Sequence, residues 1–246
     1  MSLEPISTST LDQPYWHAVI YGPPKTGKTS FLATLPAPLV VSMDEDGMTS
    51  LRSKQVDFVE PATWLELSSI VSNIEPTIKD GSFRYRDKVY SSLAFDPLNR
   101  MQDLVYASIQ KPGKTLTLPD RGFGNDKLTA MFRKLCSMDI HVVFTCLERF
   151  DKDEHTGRVK VTFDISPALG RRFPAIPSFI WHTNAEPQGS GVTKYTISTQ
   201  NESYYEAGGR YGDKAPPLRV DPDFMKLYDY VCGRSTTKAT FHYKGH

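Results

Sequence analysis

Gly22-Pro23-Pro24-Lys25-Thr26-Gly27-Lys28-Thr29 follows the apolar run Trp16-His17-Ala18-Val19-Ile20-Tyr21 and leads into Ser30-Phe31-Leu32-Ala33-Thr34-Leu35. The stretch reads G-x-x-x-x-G-K-T between a run of strand length and a helical pattern, the context this motif demands. Two glycines let the backbone wrap closely enough for successive N–H groups to point into one hollow and bind phosphate oxygens. A helix opening at Gly27 adds unpaired N–H groups and a positive dipole end. Lys28 is then placed to reach the β- and γ-phosphates, and the Thr29 hydroxyl to hold Mg²⁺. Gly22 to Thr29, with Ser30 behind them, form the expected binding set for a nucleoside triphosphate.

Composition sets the bounds around that loop. A chain of 246 residues fits one large α/β domain or a core with a small appendage. With 39% hydrophobic residues, 13 Phe and 12 Tyr, it can fill a core and is not a disordered polymer. Its 29 basic and 28 acidic residues leave a net charge of +1, so any nucleic-acid contact has to come from local basic loops. Cys136, Cys146 and Cys232 are far apart in apolar surroundings and read as reduced core residues rather than metal ligands. No stretch resembles a signal peptide, and no apolar run approaches the ~18 residues of a membrane span. A soluble, intracellular protein with no membrane partner is expected.

The remaining pattern alternates strand and helix. Residues 1–14 are polar and rich in Ser, Thr and Pro, a flexible arm. Strands are expected at 16–21, 38–43, 56–59, 90–96 and 141–147, with helices at 63–78, from Pro97, and from a cap at Asn125 or Asp126. Residues 111–124, with two Pro, three Gly and three basic residues, read as a long structureless connection. Arg149–Val161 reads as a charged, turn-rich segment. Ser178–Thr183, Val192–Thr199 and Ser203–Ala207 read as strands of an antiparallel extension. A last helix spans 221–232 with Asp221-Pro222 as cap and first position, and 233–246 form a flexible tail. The order predicts an α/β fold, mostly a parallel sheet covered by helices, with ligand at the strands' carboxyl ends.

The acidic candidates fall at those ends. Asp96 closes an apolar strand and is the expected second Mg²⁺ ligand, direct or through water. Pro97 and Leu98 follow it, so no Glu adjacent to Asp96 can be the base. The turn Asp44-Glu45-Asp46-Gly47 supplies one from the neighbouring strand, Glu45 first and Asp44 second, to orient and deprotonate the attacking water. Thr145 or Glu148 can sense the γ-phosphate; apolar Leu147 is a poor candidate. Lys111, Lys114 and Arg121 in one loop, and Arg149, Lys152, Arg158 and Lys160 in another, accompany Phe123 and Phe150. That mixture suits single-stranded nucleic acid by phosphate contact and stacking. His17, His141 and His182 lie in apolar runs and are read as satisfied core or edge residues. The aromatic residues of the C-terminal strands are read as packing.

These residues together resemble the RecA-like P-loop ATPases of phages, the Sak-type single-strand annealing and recombination group. The resemblance covers roughly residues 16–232, and the ATPase domain it implies spans 15–232. It rests on the Gly22–Thr29 loop, on Asp44-Glu45-Asp46-Gly47 and on the strand ending in Asp96. Gly122-Phe123-Gly124 before a long helix, the Val142-Val143-Phe144-Thr145 strand and the Gly208-Gly209-Arg210-Tyr211-Gly212 turn complete it. It implies a RecA-like ATPase domain using ATP and Mg²⁺, with Glu45 where the family carries its catalytic Glu. It also implies binding of single-stranded DNA, assembly into a ring or filament, cooperation with single-strand-binding protein, and residence in the host cytoplasm. RecA-type assemblies reach a cation into the neighbour's site, a role that falls by position on Arg210 or Lys214. Leu147 and Pro97 depart from the family pattern, which bears on hydrolysis rate more than on binding.

Two other readings use the same loop. A small-molecule or nucleotide kinase needs it too, but lacks the extra strand expected here between the P-loop strand and the Asp96 strand, and carries an Arg-rich lid absent from this sequence. A nucleotide-gated interaction protein with slow hydrolysis is compatible with Leu147.

Overall fold

β1 (His17–Gly22) is the strand from which the fold is built, because Ala18 to Tyr21 have no exposed surface on either face. It lies between β7 (His141–Lys152) and β9 (Phe179–Pro187), both parallel to it. Beyond β7 follow β6 (Ser92–Asp96), β2 (Pro38–Ser42) and β3 (Asp57–Val59), again parallel. The computed structural model describes residues 14–44, 46–152, 157, 159–189, 191–202 and 204–234. β7 thus stands between the P-loop strand and the Asp96 strand, the extra strand expected from the sequence. Among the described residues no helix is long and apolar enough to cross a membrane.

Period-two alternation divides the core between the two faces of the sheet. Val19, Tyr21, Leu93, Phe95, Val142 and Phe144 face one layer, formed by α2 (Trp64–Ile74), α3 (Leu98–Ile109) and α4 (Leu118–Leu135). Ala18, Ile20, Val40, Ala94 and Val143 face the other, where α1 (Lys28–Leu32) and α6 (Phe224–Val231) pack. Aromatic rings fill this second layer, with Trp16 and Phe179 at 4.3 Å between centroids and Trp16 and Tyr228 at 5.0 Å.

Three expectations for the middle of the chain are corrected. The long connection is shorter than expected, because α4 begins at Leu118 rather than after Asn125 or Asp126. Thr117 caps it in a reciprocal box with Asp120, and Pro119 sits in the first turn, where its missing N–H costs nothing. Asn125 is instead buried inside the helix, its side-chain oxygen accepting from Tyr106 (2.7 Å) and Ser166 (3.1 Å). The expected strand 90–96 is split: Lys88–Tyr90 (β5) forms a hairpin with Phe83–Tyr85 (β4), and only Ser92–Asp96 joins the main sheet. β7 runs on to Lys152 and pairs antiparallel with β8 (Val159–Phe163), so much of the segment read as turn-rich is a two-stranded ribbon.

The C-terminal part is also refined. β9 is parallel to β1, and the antiparallel strands are β10 (Thr193–Ser198) and the short β11 (Gly208–Gly209) on β9, with β12 (Arg219–Val220) on β10. Tyr205 makes only isolated bridges, so the strand expected at 203–207 falls instead at Gly208–Gly209. The cap of α6 is Asp223, whose carboxylate accepts from the Lys226 N–H (3.1 Å), and not Asp221. α5 (Pro167–Arg172) lies between β8 and β9. Cys146 is buried, but Cys232 is exposed at the end of α6 and is no core residue. His141 is a satisfied core histidine: its Nδ1 accepts from the Trp16 N–H (3.0 Å), and burial pushes its pKa down to about 4.

The two helical glycines of α4 give a paired test. A Cβ at Gly124 would lie 2.9 Å from the Tyr106 ring and 3.1 Å from Ile109, whereas one at Gly122 would meet nothing within 4 Å. Gly122→Ala should therefore stabilise by about 0.5–1 kcal/mol through helix propensity. Gly124→Val should destabilise by about 1–3 kcal/mol by forcing α3 and α4 apart. Denaturant melts of the two variants should move in opposite directions; equal shifts would contradict this packing.

Candidate nucleotide site

The parallel register brings the carboxyl ends of β1, β7, β6 and β2 to one edge: Gly22 stands beside Leu147, Phe95 beside Phe144, and Ser42 beside Asp96. The phosphate loop leaves β1 at this edge. Gly22 has φ +152° and Gly27 φ +84°, backbone conformations that favour glycine. A side chain on Gly22 would also collide with Thr183 Oγ1 of β9 at 2.2 Å. That hydroxyl lies 2.6 Å from Thr26 Oγ1, which donates to the Pro23 carbonyl (2.8 Å), so β9 pins the loop. Thr183 escaped the sequence reading because a threonine in an apolar run carries no signal of its own.

Lys28 is 8% exposed and donates to the carbonyls of Gly22 (2.9 Å) and Pro23 (2.6 Å). Burial pushes the pKa of its ammonium down, while Asp96, Cys146 and Glu148 pull it up. Asp96, 5% exposed, accepts from Thr29 Oγ1 (2.7 Å) on one oxygen and from Thr145 Oγ1 on the other. Burial raises its pKa, opposed by those two hydroxyls and by Lys28, with Asp44 adding to the rise. The structure therefore joins Lys28, Thr29 and Asp96, as the sequence anticipated, and gives Thr145 a role in holding the carboxylate.

The donor set fits Mg²⁺. A hydroxyl and a carboxylate, hard oxygen ligands in direct contact, match an ion that takes one or two protein oxygens and completes its shell with water and phosphate. Among the described residues no cluster of three His, Cys, Asp or Glu stands ready for a transition metal.

Glu148 and His182, within β7 and β9, flank the root of the loop. Their side chains are buried and 2.8 Å apart, and the His182 ring stacks on Tyr205 at 3.8 Å. Burial lowers the His182 pKa and Glu148 raises it, with the lowering dominant. Asp44 is exposed at the end of β2, its carbonyl accepting from Ser42 Oγ (3.2 Å) and the Gly47 N–H (3.2 Å). Glu45 and Arg158 lie outside the described residues.

Arg210 is not brought to this edge. Its N–H donates to the Ser178 carbonyl beside the start of β9, the opposite end of the sheet from the phosphate loop. Lys111, Lys114 and Arg121 are exposed around the start of α4. Arg149 is held by Asp151 (2.9 and 2.8 Å) and the Ile165 carbonyl (2.5 Å), and Lys160 pairs with Glu206 (3.0 Å). Lys152 is exposed at the end of β7. α4 finishes near the amino ends of the strands, where Met138 O contacts His17 Nε2, so its first turns point toward the carboxyl edge.

Known structures and one family model are similar to parts of this chain. Among solved structures, an ATPase from the type III secretion system of pathogenic bacteria aligns at 10% identity and TM-score 0.47 over 69% of this chain and 52% of that one. The chain thus spans about half the length of that ATPase. The flagellar accessory protein FlaH from Methanocaldococcus jannaschii aligns at 12% identity and TM-score 0.34, over 75% and 78% of the two chains. No curated protein sequence matches. Residues 15–211 match the family model of an AAA domain, from one residue before the first strand's lead-in to just past β11. With residues 15–211 inside that model, a phosphate loop at the end of β1 and a strand between β1 and the Asp96 strand, the chain belongs to the AAA-domain family.

Proposed function

We propose that this protein binds and hydrolyses ATP and acts on single-stranded DNA, in phage recombination or replication of the single-strand annealing or strand-exchange type. The observation that carries the ATPase part is the contact of Thr29 with Asp96 beside buried Lys28, across the strand that carries Thr145. Lys28 is placed to neutralise the terminal phosphates, and Thr29 and Asp96 would hold Mg²⁺, which would supply charge stabilisation to the phosphoryl oxygens. Glu45, with Asp44 second, orients and deprotonates the attacking water from the adjoining strand end.

Support for the DNA part is the common direction of the two basic segments. The start of α4 and the β7–β8 ribbon both project on the carboxyl side of the sheet, with Leu118, Phe123 and Phe150 largely exposed among their cations. Exposed rings between cations suit single strands, by stacking and phosphate contact. Arg210, at the other end of the sheet, serves a neighbour's ATP site if subunits stack head to tail in a ring or filament. Single-strand-binding protein is the expected co-operating partner.

The test is ATP turnover with and without single-stranded DNA, in the unmodified protein and in Lys28→Ala and Glu45→Gln. DNA should raise turnover, both variants should lose it, and DNA binding should weaken steeply with salt. No DNA binding and no stimulation would remove the DNA assignment. Phosphate transfer to an added nucleoside would instead establish a kinase, against which the strand between β1 and β6 counts.

A further inference from the structure

A cavity of ≈ 580 Å³ runs along the phosphate loop and α1, where Gly27, Lys28, Thr29 and Ser30 line it. Its walls come from parts of the chain remote in sequence: Ser50 and Lys54 after β2, Pro222 before α6, and Tyr195 on β10. The volume lies within the range of about 300–1,000 Å³ of small-molecule sites. Tyr195 is 41% exposed, yet its ring lies against the loop: a Cβ on Gly27 would touch it at 3.6 Å.

We propose that Tyr195 is the nucleobase platform of this site, with the cavity taking the base and ribose of the triphosphate. This rests on the nucleotide site proposed above. Lys28 and Thr29 line this same cavity, so a triphosphate whose terminal phosphates they hold would have its nucleoside end within reach of Tyr195. There the chain offers an aromatic face with open surface in front of it and a polar rim of Ser50 and Lys54. The bland alternative, that Tyr195 is core packing, conflicts with its exposure. The ring belongs to the antiparallel strand on β9, so β9 both pins the loop through Thr183 and carries the neighbour that reads the base.

The test compares ATP with ribose 5-triphosphate, which lacks the base, by calorimetry in Mg²⁺ on the full chain. The unmodified protein should bind ATP about 5- to 150-fold more tightly than the base-free ligand, the range of one base–aromatic stack. Tyr195→Ala should lose most of that preference with unchanged affinity for ribose 5-triphosphate, and Tyr195→Phe should keep it. Equal affinity for both ligands in the unmodified protein overturns the proposal without any variant having to fold. Parallel weakening of both ligands in Tyr195→Ala also overturns it, since the ring would then support the loop rather than the base. If neither ligand binds the unmodified protein, the nucleotide site itself fails.

Discussion

Lys28→Ala is expected to lower ATP turnover by about 10²–10³-fold, the usual loss when one preorganised charge-stabilising donor is removed from a phosphoryl-transfer site. The same substitution should leave the nucleotide-free protein within about 1 kcal/mol of its original stability. The two outcomes separate because Lys28 is held mainly for its ligand. Its ammonium is buried, donates to the Gly22 and Pro23 carbonyls, and has its pKa pushed down by that burial. Removing it loses those bonds but also removes the cost of desolvating a charge. Phosphate release and a thermal melt on the same preparation decide the matter. Near-normal turnover would mean that the loop is not the hydrolytic site.

Asp96→Asn should abolish most turnover, by about 10²–10³-fold, and yet stabilise the metal-free protein at neutral pH. Asp96 is buried and its pKa is raised by that burial. The folded state therefore holds the proton more tightly than the unfolded state. Stability from this group is full below the ordinary carboxylate pKa and is lost as pH rises through the raised value. Above that value the buried charge is a standing cost that asparagine does not carry, while one amide oxygen can still accept from Thr29 or Thr145. In chelator, the melting temperatures of the two proteins should differ most at neutral pH and converge toward acid. A deficit in Asp96→Asn of the same size at every pH would show that the carboxylate is a structural anchor instead.

What the sequence disclosed followed from whether a signal was local. Gly22 to Thr29 are consecutive, and the glycines, lysine and threonine each have a fixed office, so the loop was readable directly. Asp96 was readable because it ends an apolar run, and the strand between it and β1 followed from the alternation of elements. Thr183, Tyr195 and the Glu148–His182 pair were not, since each acts through contacts made across the fold with residues of no distinctive spacing. The start of α4 was a different kind of miss. Pro119, Gly122 and Gly124 are loop signals, and they outweighed the Thr117-x-x-Asp120 box that caps the helix. Gly124 is a glycine inside the helix because the Tyr106 ring leaves no room for a side chain. The β7–β8 ribbon was hidden by its charges, which mark an exposed two-stranded element as readily as a turn.

The most direct measurement is calorimetric titration of ATP into the unmodified protein, with Mg²⁺ and again in chelator. A nucleotide site built from the Gly22–Thr29 loop and the Thr29–Asp96 contact should give saturable binding at one site per chain, tightened by Mg²⁺. Absence of saturable binding, or binding indifferent to both Mg²⁺ and Lys28→Ala, would contradict it.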